Sequence, residues 1–263
     1  MPRLIAVLSF LMASVHPLSA RTYQEVPELA KCFEAHGVAG TFVLFDPTTD
    51  TMLVSDEARA QKRFTPASTF KIANSLIGLD AGAVKNADEV LPYGGKPQRI
   101  KEWEHDMGLR EAIKISNVAI YQELARRIGL ERMREGVKKL AYGNMEIGGV
   151  VDRFWLDGPL AISAVEQTEF LHRLAKGSLP ISPNAVRAVK EITLLEKTDT
   201  YELHGKTGWL FNPTPPQTGW WVGWIERENK VYPFALNIDM MKDADAAKRI
   251  PIGRECLKVL GKL

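Results

Sequence analysis

Segments with strand character lie near both ends of this chain and enclose a middle with mostly helical spacing, and this order constrains the fold more than any single motif. Runs of β-branched and aromatic residues are found at 41–46, 51–54, 201–208, 219–225 and 231–239. From residue 81 to about residue 190 the apolar residues recur at helical intervals instead. We therefore predict an α+β fold, in which one antiparallel sheet built from both chain ends is flanked by helices and carries an inserted helical region.

Residues 1–20 have the organisation of a secretory signal rather than of a folded segment. Arg3 supplies a positive start, residues 4–15 an apolar core, and residues 18–20 a cleavage site of small residues. The apolar core is too short to span a bilayer as a helix, and no later stretch is long enough to do so. We expect a mature protein that starts at Arg21 and functions in the periplasm without a membrane span.

The distribution of charge and of histidine argues against several classes of partner. The net charge is only +2 at pH 7, and acidic and basic residues are interspersed without long runs. This pattern is not typical of proteins that bind nucleic acid or an anionic membrane surface. The histidines are scattered and form no Cys/His cluster, so no metal site is expected. No helix face or strand edge indicates an interface, which leaves the oligomeric state open.

Cys32 and Cys256 are the two cysteines of the chain and lie near opposite ends of it. In an oxidising compartment they could form a disulfide, but only if the two terminal segments pack together. Two separate buried thiols are the alternative. The sequence does not decide between them.

The segment Pro66–Lys71 carries the first candidate for chemistry. Ser68 follows a turn-forming proline and precedes an apolar run at 70–79, which places it near a helix N-terminus with Lys71 one turn later on the same face. A serine becomes a good nucleophile when a neighbour accepts its proton, and a lysine can accept it only if burial keeps the amine uncharged. Backbone N–H groups at the helix start could hold an oxyanion. Taken alone, the pattern is short, and Ser68 could instead cap a helix beside a solvated Lys71.

Further motifs later in the chain support the catalytic interpretation of this pattern. Ser68-x-x-Lys71 is followed by Ser116-Asn117-Val118, Tyr142-Gly143-Asn144, Phe154-Trp155-Leu156 and Lys206-Thr207-Gly208 with Trp209. In this order and on the predicted elements, the motifs resemble those of the class D serine β-lactamases (oxacillinases), and the resemblance covers essentially the whole mature chain. It implies a β-lactamase/transpeptidase-like fold with the active site between the sheet and the helical region.

The resemblance also implies roles for these residues in the hydrolysis of penicillins and oxacillin-type β-lactams, and hence in antibiotic resistance. Ser68 would attack the lactam carbonyl and form an acyl-enzyme. Lys71, carboxylated by CO₂ or bicarbonate to N6-carboxylysine, would be the general base for acylation and deacylation, with no other cofactor. Trp155 would donate its indole N–H to that carbamate, and Ser116 would relay a proton to the leaving nitrogen. The backbone N–H groups of Ser68 and Trp209 would form the oxyanion hole.

The substrate-binding residues implied by the resemblance surround this catalytic set. They are Lys206, Thr207, Gly208, Arg249, Trp103, Val118 and Leu156. Lys206 would place positive charge near the substrate carboxylate, for which Thr207 and Arg249 are the candidate anchors. Lys248 and Arg254 lie close enough in sequence to leave the choice of the anchoring cation open.

Apolar residues near the cleft have both functional and structural interpretations. Val118 and Leu156 would form an apolar lid over Lys71 that governs the entry of water and CO₂, or they could simply pack in the core. Trp103 would line the mouth of the cleft, or it could be a surface aromatic. The segment Tyr142–Asn144 is expected to shape a turn rather than to take part in chemistry.

The loop 148–159 bears on how an acyl-enzyme would be hydrolysed. It contains Asp152 and Asp157 but no glutamate in the setting that class A enzymes use to activate the deacylating water. Deacylation then needs another base, and a carboxylated Lys71 could serve in both half-reactions. The substrate spectrum, including carbapenems and extended-spectrum cephalosporins, depends on the loops around Trp103 and at 210–218 and is left open by the sequence.

These observations define a domain organisation and three competing functions. We expect residues 21–64 and 201–263 to form the sheet-containing region and residues 65–200 the helical region of one continuous catalytic unit.

A β-lactam sensor domain and a peptidoglycan transpeptidase or carboxypeptidase could be built from the same motifs, although sensors are usually tethered to a membrane. A binding module without catalysis would leave the nucleophile, base and oxyanion hole without a purpose.

Overall fold

The computed structural model describes residues 22–263, so the predicted signal at 1–20 lies outside the described residues. Within residues 22–263 the chain forms seven strands and nine α-helices, and none of these helices is long and apolar enough to cross a membrane. The strands are β1 (Thr22–Glu25), β2 (Gly40–Asp46), β3 (Thr51–Val54), β4 (Leu194–Lys197), β5 (Glu202–Leu210), β6 (Gln217–Arg227) and β7 (Lys230–Met240). The helices are α1 (Pro27–Ala35), α2 (Glu57–Gln61), α3 (Lys71–Asp80), α4 (Leu109–Lys114), α5 (Val118–Ile128), α6 (Leu130–Lys139), α7 (Ala164–Ala175), α8 (Pro183–Thr193) and α9 (Arg249–Val259).

The strands form one sheet in the order β1-β3-β2-β7-β6-β5-β4. β2 from the N-terminal part of the chain lies beside β7 from the C-terminal part, with Gly40 opposite Ile238 and Leu44 opposite Phe234. Strands from the two chain ends therefore meet in the interior of the sheet. This confirms the predicted α+β architecture, in which both ends build the sheet and the helical region is inserted between them.

The two edge strands depart from the sequence-based prediction. β1 pairs with β3 in parallel, whereas the other neighbouring strands are antiparallel, so the sheet is mixed rather than purely antiparallel. β4 lies within residues 65–200, which the sequence assigns to the helical region. Both edge strands are only four residues long and largely solvent-facing. Strands this short and exposed lack the apolar alternation from which a strand is predicted.

The ends of several elements follow from local chemistry. β6 and β7 are joined by Glu228 and Asn229, which both have positive φ, the conformation that suits a two-residue hairpin. A capping box starts α7: Ser163 Oγ accepts from the Glu166 N–H at 3.1 Å, and the Glu166 carboxylate accepts from the Ser163 N–H at 2.9 Å.

The sheet separates two apolar cores. Alternate residues of β6 face opposite sides, so Trp220 and Trp224 pack in the core shared with the helical region, whereas Trp221 and Ile225 pack in the core beneath α1 and α9. α3 lies at the centre of the helical region, and its residues 71–78 are all buried. Its first residue, Lys71, lies where the two regions meet.

Candidate active site

A short 3₁₀ turn, Ala67–Phe70, leads directly into α3 and places a serine next to a buried lysine. Ala67 adopts a positive φ of 48°, which is uncommon for a residue with a side chain and marks local backbone strain. Ser68 follows it and is partly exposed to a cleft, whereas Lys71 is fully buried. Lys71 Nζ lies 2.8 Å from Ser68 Oγ, within hydrogen-bond distance. The serine can therefore pass its proton directly to the lysine amine.

One local hydrogen bond and two hydrogen bonds from distant elements hold this turn in place. The Thr69 hydroxyl donates to the carbonyl of Pro66 at 2.7 Å and accepts from the side-chain amide of Gln167 on α7 at 2.8 Å. The indole N–H of Trp220 on β6 donates to the carbonyl of Thr65 at 3.1 Å. The sequence analysis missed these supports, because nothing in the local pattern links position 69 to position 167 or position 65 to position 220.

The surroundings of Lys71 disfavour its charged form. Burial lowers the pKa of Lys71 well below the usual value for a lysine, and the charge of Lys206 lowers it further. None of the salt bridges formed within residues 22–263 involves Lys71, and its Nζ lies 5.3 Å from the centre of the Tyr121 ring. Without a carboxylate partner, the buried amine is biased towards its neutral form, and a neutral amine is a base and a nucleophile.

Trp155 provides a buried donor that lacks a partner. Its side chain is fully buried, and its ring stacks on Phe70, the residue before Lys71, with ring centres 5.5 Å apart. Its indole N–H is one of the few buried polar groups within residues 22–263 that has no hydrogen-bond partner. A buried N–H left unpaired is costly, so this position suits an additional acceptor.

Ser116 lies in the connection between α4 and α5 and has a positive φ of 60°. The next residue, Asn117, caps α5 by accepting from the Ile120 N–H at 3.3 Å and also donates to the carbonyl of Trp103 at 3.1 Å. The indole of Trp103 in turn donates to the carbonyl of Ile115 at 3.0 Å. These contacts join the segment that carries Ser116 to the segment that carries Trp103, so the two line the cleft together.

The strand β5 forms the opposite wall. Lys206 is buried, and its Nζ donates to the carbonyl and hydroxyl of Thr207 at 3.0 and 3.3 Å. Burial, with a smaller contribution from the nearby Arg249 charge, lowers the pKa of Lys206 to about 7. At Gly208 an added Cβ would lie 3.0 Å from the carbonyl oxygen of Pro66, so glycine allows the strand to approach the turn that carries Ser68.

Arg249 is the cation that reaches this wall. Its guanidinium donates to the carbonyl of Gly208 at 2.5 Å, and burial lowers its pKa to about 10. The other two basic candidates are engaged elsewhere: Lys248 pairs with Asp245 at 2.8 Å, and Arg254 pairs with Glu196 at 2.8 Å. The structure therefore favours Arg249 among the three.

Together these walls enclose a cleft of about 640 Å³. The predicted residues that line it are Ser68, Trp103, Ser116, Val118, Leu156, Thr207, Gly208, Trp209 and Arg249. Lys71, Trp155 and Lys206 lie buried behind this surface. The sequence analysis did not single out Arg99 and Phe211, which meet at the rim with the guanidinium 4.0 Å from the ring centre. No recognisable motif includes either residue.

The segment Tyr142–Asn144 supports neighbouring segments through hydrogen bonds, in keeping with the turn-shaping interpretation. The Tyr142 hydroxyl donates to Gln167 at 3.3 Å, which extends the support of the serine turn. Asn144 accepts from the Ala161 N–H at 3.0 Å and donates to the carbonyl of Pro159 at 2.9 Å. These bonds fix both ends of the loop that carries Trp155.

Both aspartates of the loop 148–159 form ion pairs with arginines. Asp152 pairs with Arg126 at 2.7 Å, and Asp157 pairs with Arg153. Residues 22–263 contain no group of three or more side chains able to hold a metal ion. The arrangement as a whole is that of a serine acyl-transfer site with a lysine base, set between a sheet and a helical region.

Comparison with known proteins agrees with this site. Residues 40–258 match the family model of the penicillin-binding protein transpeptidase domain. The chain is 43% identical to β-lactamase OXA-10 of Pseudomonas aeruginosa over 84% of this chain and 83% of that protein. It is 40% identical to β-lactamase OXA-48 of Klebsiella pneumoniae, over 95% and 94% of the two chains. The crystal structure of FUS-1 (OXA-85), a class D β-lactamase from Fusobacterium nucleatum subsp. polymorphum, superposes with a TM-score of 0.88 at 45% identity, covering 91% of this chain and 100% of that chain.

The fold and the site define a serine enzyme of the penicillin-binding type. Identity and coverage at this level then show that the chain belongs to the class D serine β-lactamases. The resemblance noted in the sequence is confirmed, and so is the class of enzyme.

The buried amine of Lys71 predicts how stability depends on pH. In the unfolded chain a lysine stays protonated up to about pH 10, whereas the folded pKa of Lys71 lies well below its usual value. Between the two values the unfolded state binds more protons, so the free energy of unfolding rises with pH. Lys71→Met removes this contribution, and we expect its free energy of unfolding to rise less steeply than that of the wild type as the pH approaches about 10 from below.

Urea denaturation in CO₂-free buffer at several pH values measures this difference. Lys138→Met is the matched control, because Lys138 is exposed and its replacement should leave the wild-type slope unchanged. Identical slopes for the wild type and Lys71→Met would show that the amine is charged in the folded protein.

Proposed function

We propose that this protein hydrolyses penicillins and oxacillin-type β-lactams through an acyl-enzyme on Ser68, and thereby confers resistance to them. The observation that carries the proposal is the 2.8 Å contact between Ser68 Oγ and the buried amine of Lys71, at the floor of a cleft of ligand size. Membership of the class D β-lactamases supports the reaction. The positions of single residues in the cleft support the roles proposed for them below.

In acylation, Lys71 accepts the proton of Ser68 as Oγ attacks the lactam carbonyl. The backbone N–H groups of Ser68 and Trp209 hold the carbonyl oxygen as it gains negative charge. Ser116, on the facing wall, delivers a proton to the lactam nitrogen when the C–N bond breaks. The close approach of β5 at Gly208 supports this assignment, because it brings the Trp209 backbone towards the serine turn.

The substrate carboxylate binds on the β5 side of the cleft. Arg249 and Thr207 line the cleft there, and Lys206 adds positive charge from behind Thr207. The backbone of Gly208 also lines this side of the cleft. Trp103, with Val118 and Leu156, borders the apolar part of the cleft, where a side chain of the antibiotic fits.

The residues around Lys71 fit a carboxylated lysine. A neutral amine is the form that reacts with CO₂, and burial keeps Lys71 neutral. The unpaired indole N–H of Trp155 is a donor suited to the anionic group that would form. When present, that group supplies an anionic general base for deacylation as well as acylation. Both aspartates of the loop 148–159 are ion-paired, which leaves Lys71 as the base best placed for the second step.

Steady-state turnover distinguishes a β-lactamase from a β-lactam sensor and from a penicillin-binding protein. With benzylpenicillin or oxacillin, purified mature protein should hydrolyse many equivalents, whereas Ser68→Ala and Lys71→Ala should lose at least about 10³-fold in kcat, because the nucleophile or its base is missing. A single stoichiometric burst that leaves a stable Ser68 adduct would instead identify a sensor or a penicillin-binding protein.

The bicarbonate requirement tests the modified lysine. After brief acidification and CO₂ removal, turnover should fall and added bicarbonate should restore it. In Trp155→Phe the half-saturating bicarbonate concentration should rise by about tenfold or more, since a hydrogen bond to a charged group is lost. Labelling with ¹³C-bicarbonate, followed by NMR, measures carbamate directly.

Trp221→Phe is the matched control for this experiment. The Trp221 indole N–H is also buried and unpartnered within residues 22–263, but it lies in the core on the other face of the sheet. Its replacement should leave the bicarbonate requirement unchanged. An equal shift in both variants, or no effect of bicarbonate on the wild type, would contradict the assignment of Trp155 and Lys71.

We also propose that the protein is exported to the periplasm and loses residues 1–20. The charged start at Arg3, the short apolar core and the small residues at 18–20 support this proposal. Edman sequencing of the protein released from the periplasm should begin at Arg21. A protein that stays in the cytoplasm, or that keeps Met1 after fractionation, would contradict export by a cleaved signal.

A further inference from the structure

The two cysteines meet where α1 packs against α9. Cys32 on α1 and Cys256 on α9 are free thiols buried in the same apolar core, and the neighbouring thiol contributes to the pKa shift of each. The Cys32 thiol also lies 3.6 Å from the carbonyl oxygen of Glu28, one turn earlier on α1. The condition that the sequence left open, that the two terminal segments pack together, is met in the structure.

Other contacts hold the two helices in this arrangement. One turn beyond Cys32, the His36 ring nitrogen Nε2 lies 3.2 Å from the carboxylate of Glu255, the neighbour of Cys256. On its other side α9 is pressed against the sheet, because an added Cβ at Gly253 would lie 2.2 Å from the Trp221 ring. The packing of α1 and α9 therefore holds the two cysteines in one apolar core, the arrangement that a disulfide of about 2.0 Å between them requires.

We propose that Cys32 and Cys256 form an intramolecular disulfide that links α1 to α9 and stabilises the exported enzyme. The inference goes beyond the proposed hydrolysis and does not depend on it. Almost the whole mature chain lies between the two residues, so the bond would restrict the unfolded state strongly.

The oxidant is a second disulfide, carried by a thiol oxidoreductase or by a small molecule. One cysteine thiolate attacks this disulfide, forms a mixed disulfide and releases one thiol of the oxidant. The other cysteine then attacks the mixed disulfide and releases the second thiol, so that two protons and two electrons pass from the cysteines to the oxidant. Burial raises the pKa of both thiols in the folded protein, so the exchange takes place during folding, before α1 and α9 dock.

Alkylation of exported protein tests the bond. Protein released from the periplasm is unfolded without reductant in iodoacetamide and analysed by mass spectrometry. We expect no alkylation, a mass about 2 Da below that of the reduced chain, and a cross-linked peptide pair that contains Cys32 and Cys256. Because the chain has two cysteines, an intramolecular disulfide identifies this pair without ambiguity.

Refolding in vitro tests whether the two cysteines form the disulfide without export. Reduced, unfolded mature protein is refolded in a buffer of reduced and oxidised glutathione and alkylated in the same way. Closure of the bond in this buffer supports the proposal even if export fails, and two alkylated cysteines in both experiments would overturn it.

Thermal unfolding measures the effect on stability. The oxidised wild type should unfold roughly 5–15 °C above its reduced form, whereas Cys32→Ala and Cys256→Ala should have the same Tm with and without reductant. A wild-type Tm that does not respond to reductant would refute the stabilising link. These measurements use unfolding rather than β-lactam turnover, so their failure is distinct from failure of the proposed enzyme activity.

Discussion

The rest of the active site depends on a lysine amine that is buried next to a serine and lacks a carboxylate partner among the described residues. Withdrawing an ammonium ion from water is costly, so the site favours the neutral amine. Two more basic side chains, Lys206 and Arg249, lie on the β5 side of the cleft. In addition to burial, the charge of Arg249 lowers the pKa of Lys206, and the charge of Lys206 lowers the pKa of Lys71. Positive charge is therefore greatest where a carboxylate would enter and least where a base is needed. In the proposed mechanism, one arrangement of side chains would serve both substrate attraction and proton transfer.

Such a site requires a scaffold that keeps the serine turn from relaxing. The turn is supported on one side by a chain of hydrogen bonds from Tyr142 through Gln167 to Thr69, and on the other side by the indole of Trp220. These supports come from α7, from the loop after α6 and from β6, which belong to both halves of the molecule. The strained backbone at Ala67 persists because surrounding structure holds it. Both halves of the molecule thus contribute to holding the reactive serine in place.

Much of this could be predicted from the sequence, because motifs and periodicity are local. The strands from both chain ends, the central helix and the pairing of Ser68 with Lys71 all follow from short patterns. Features that depend on distance in space did not follow: the parallel edge strand β1, the strand β4 inside the helical range, and the support of Thr69 by Gln167. The choice of Arg249 over its basic neighbours likewise rests on ion pairs of those neighbours with distant carboxylates, which no local pattern reveals.

The pairing of β2 with β7 affects when the chain can fold. A ribosome makes β2 early and β7 near the end, so the interior of the sheet has no partner strand for most of synthesis. Contacts between residues so far apart in sequence form slowly, since a long loop must close first. A nascent chain of this topology stays open until its last strands emerge. In the export route proposed here, that delay is an advantage, because a polypeptide is threaded through a membrane channel only while it is still unfolded.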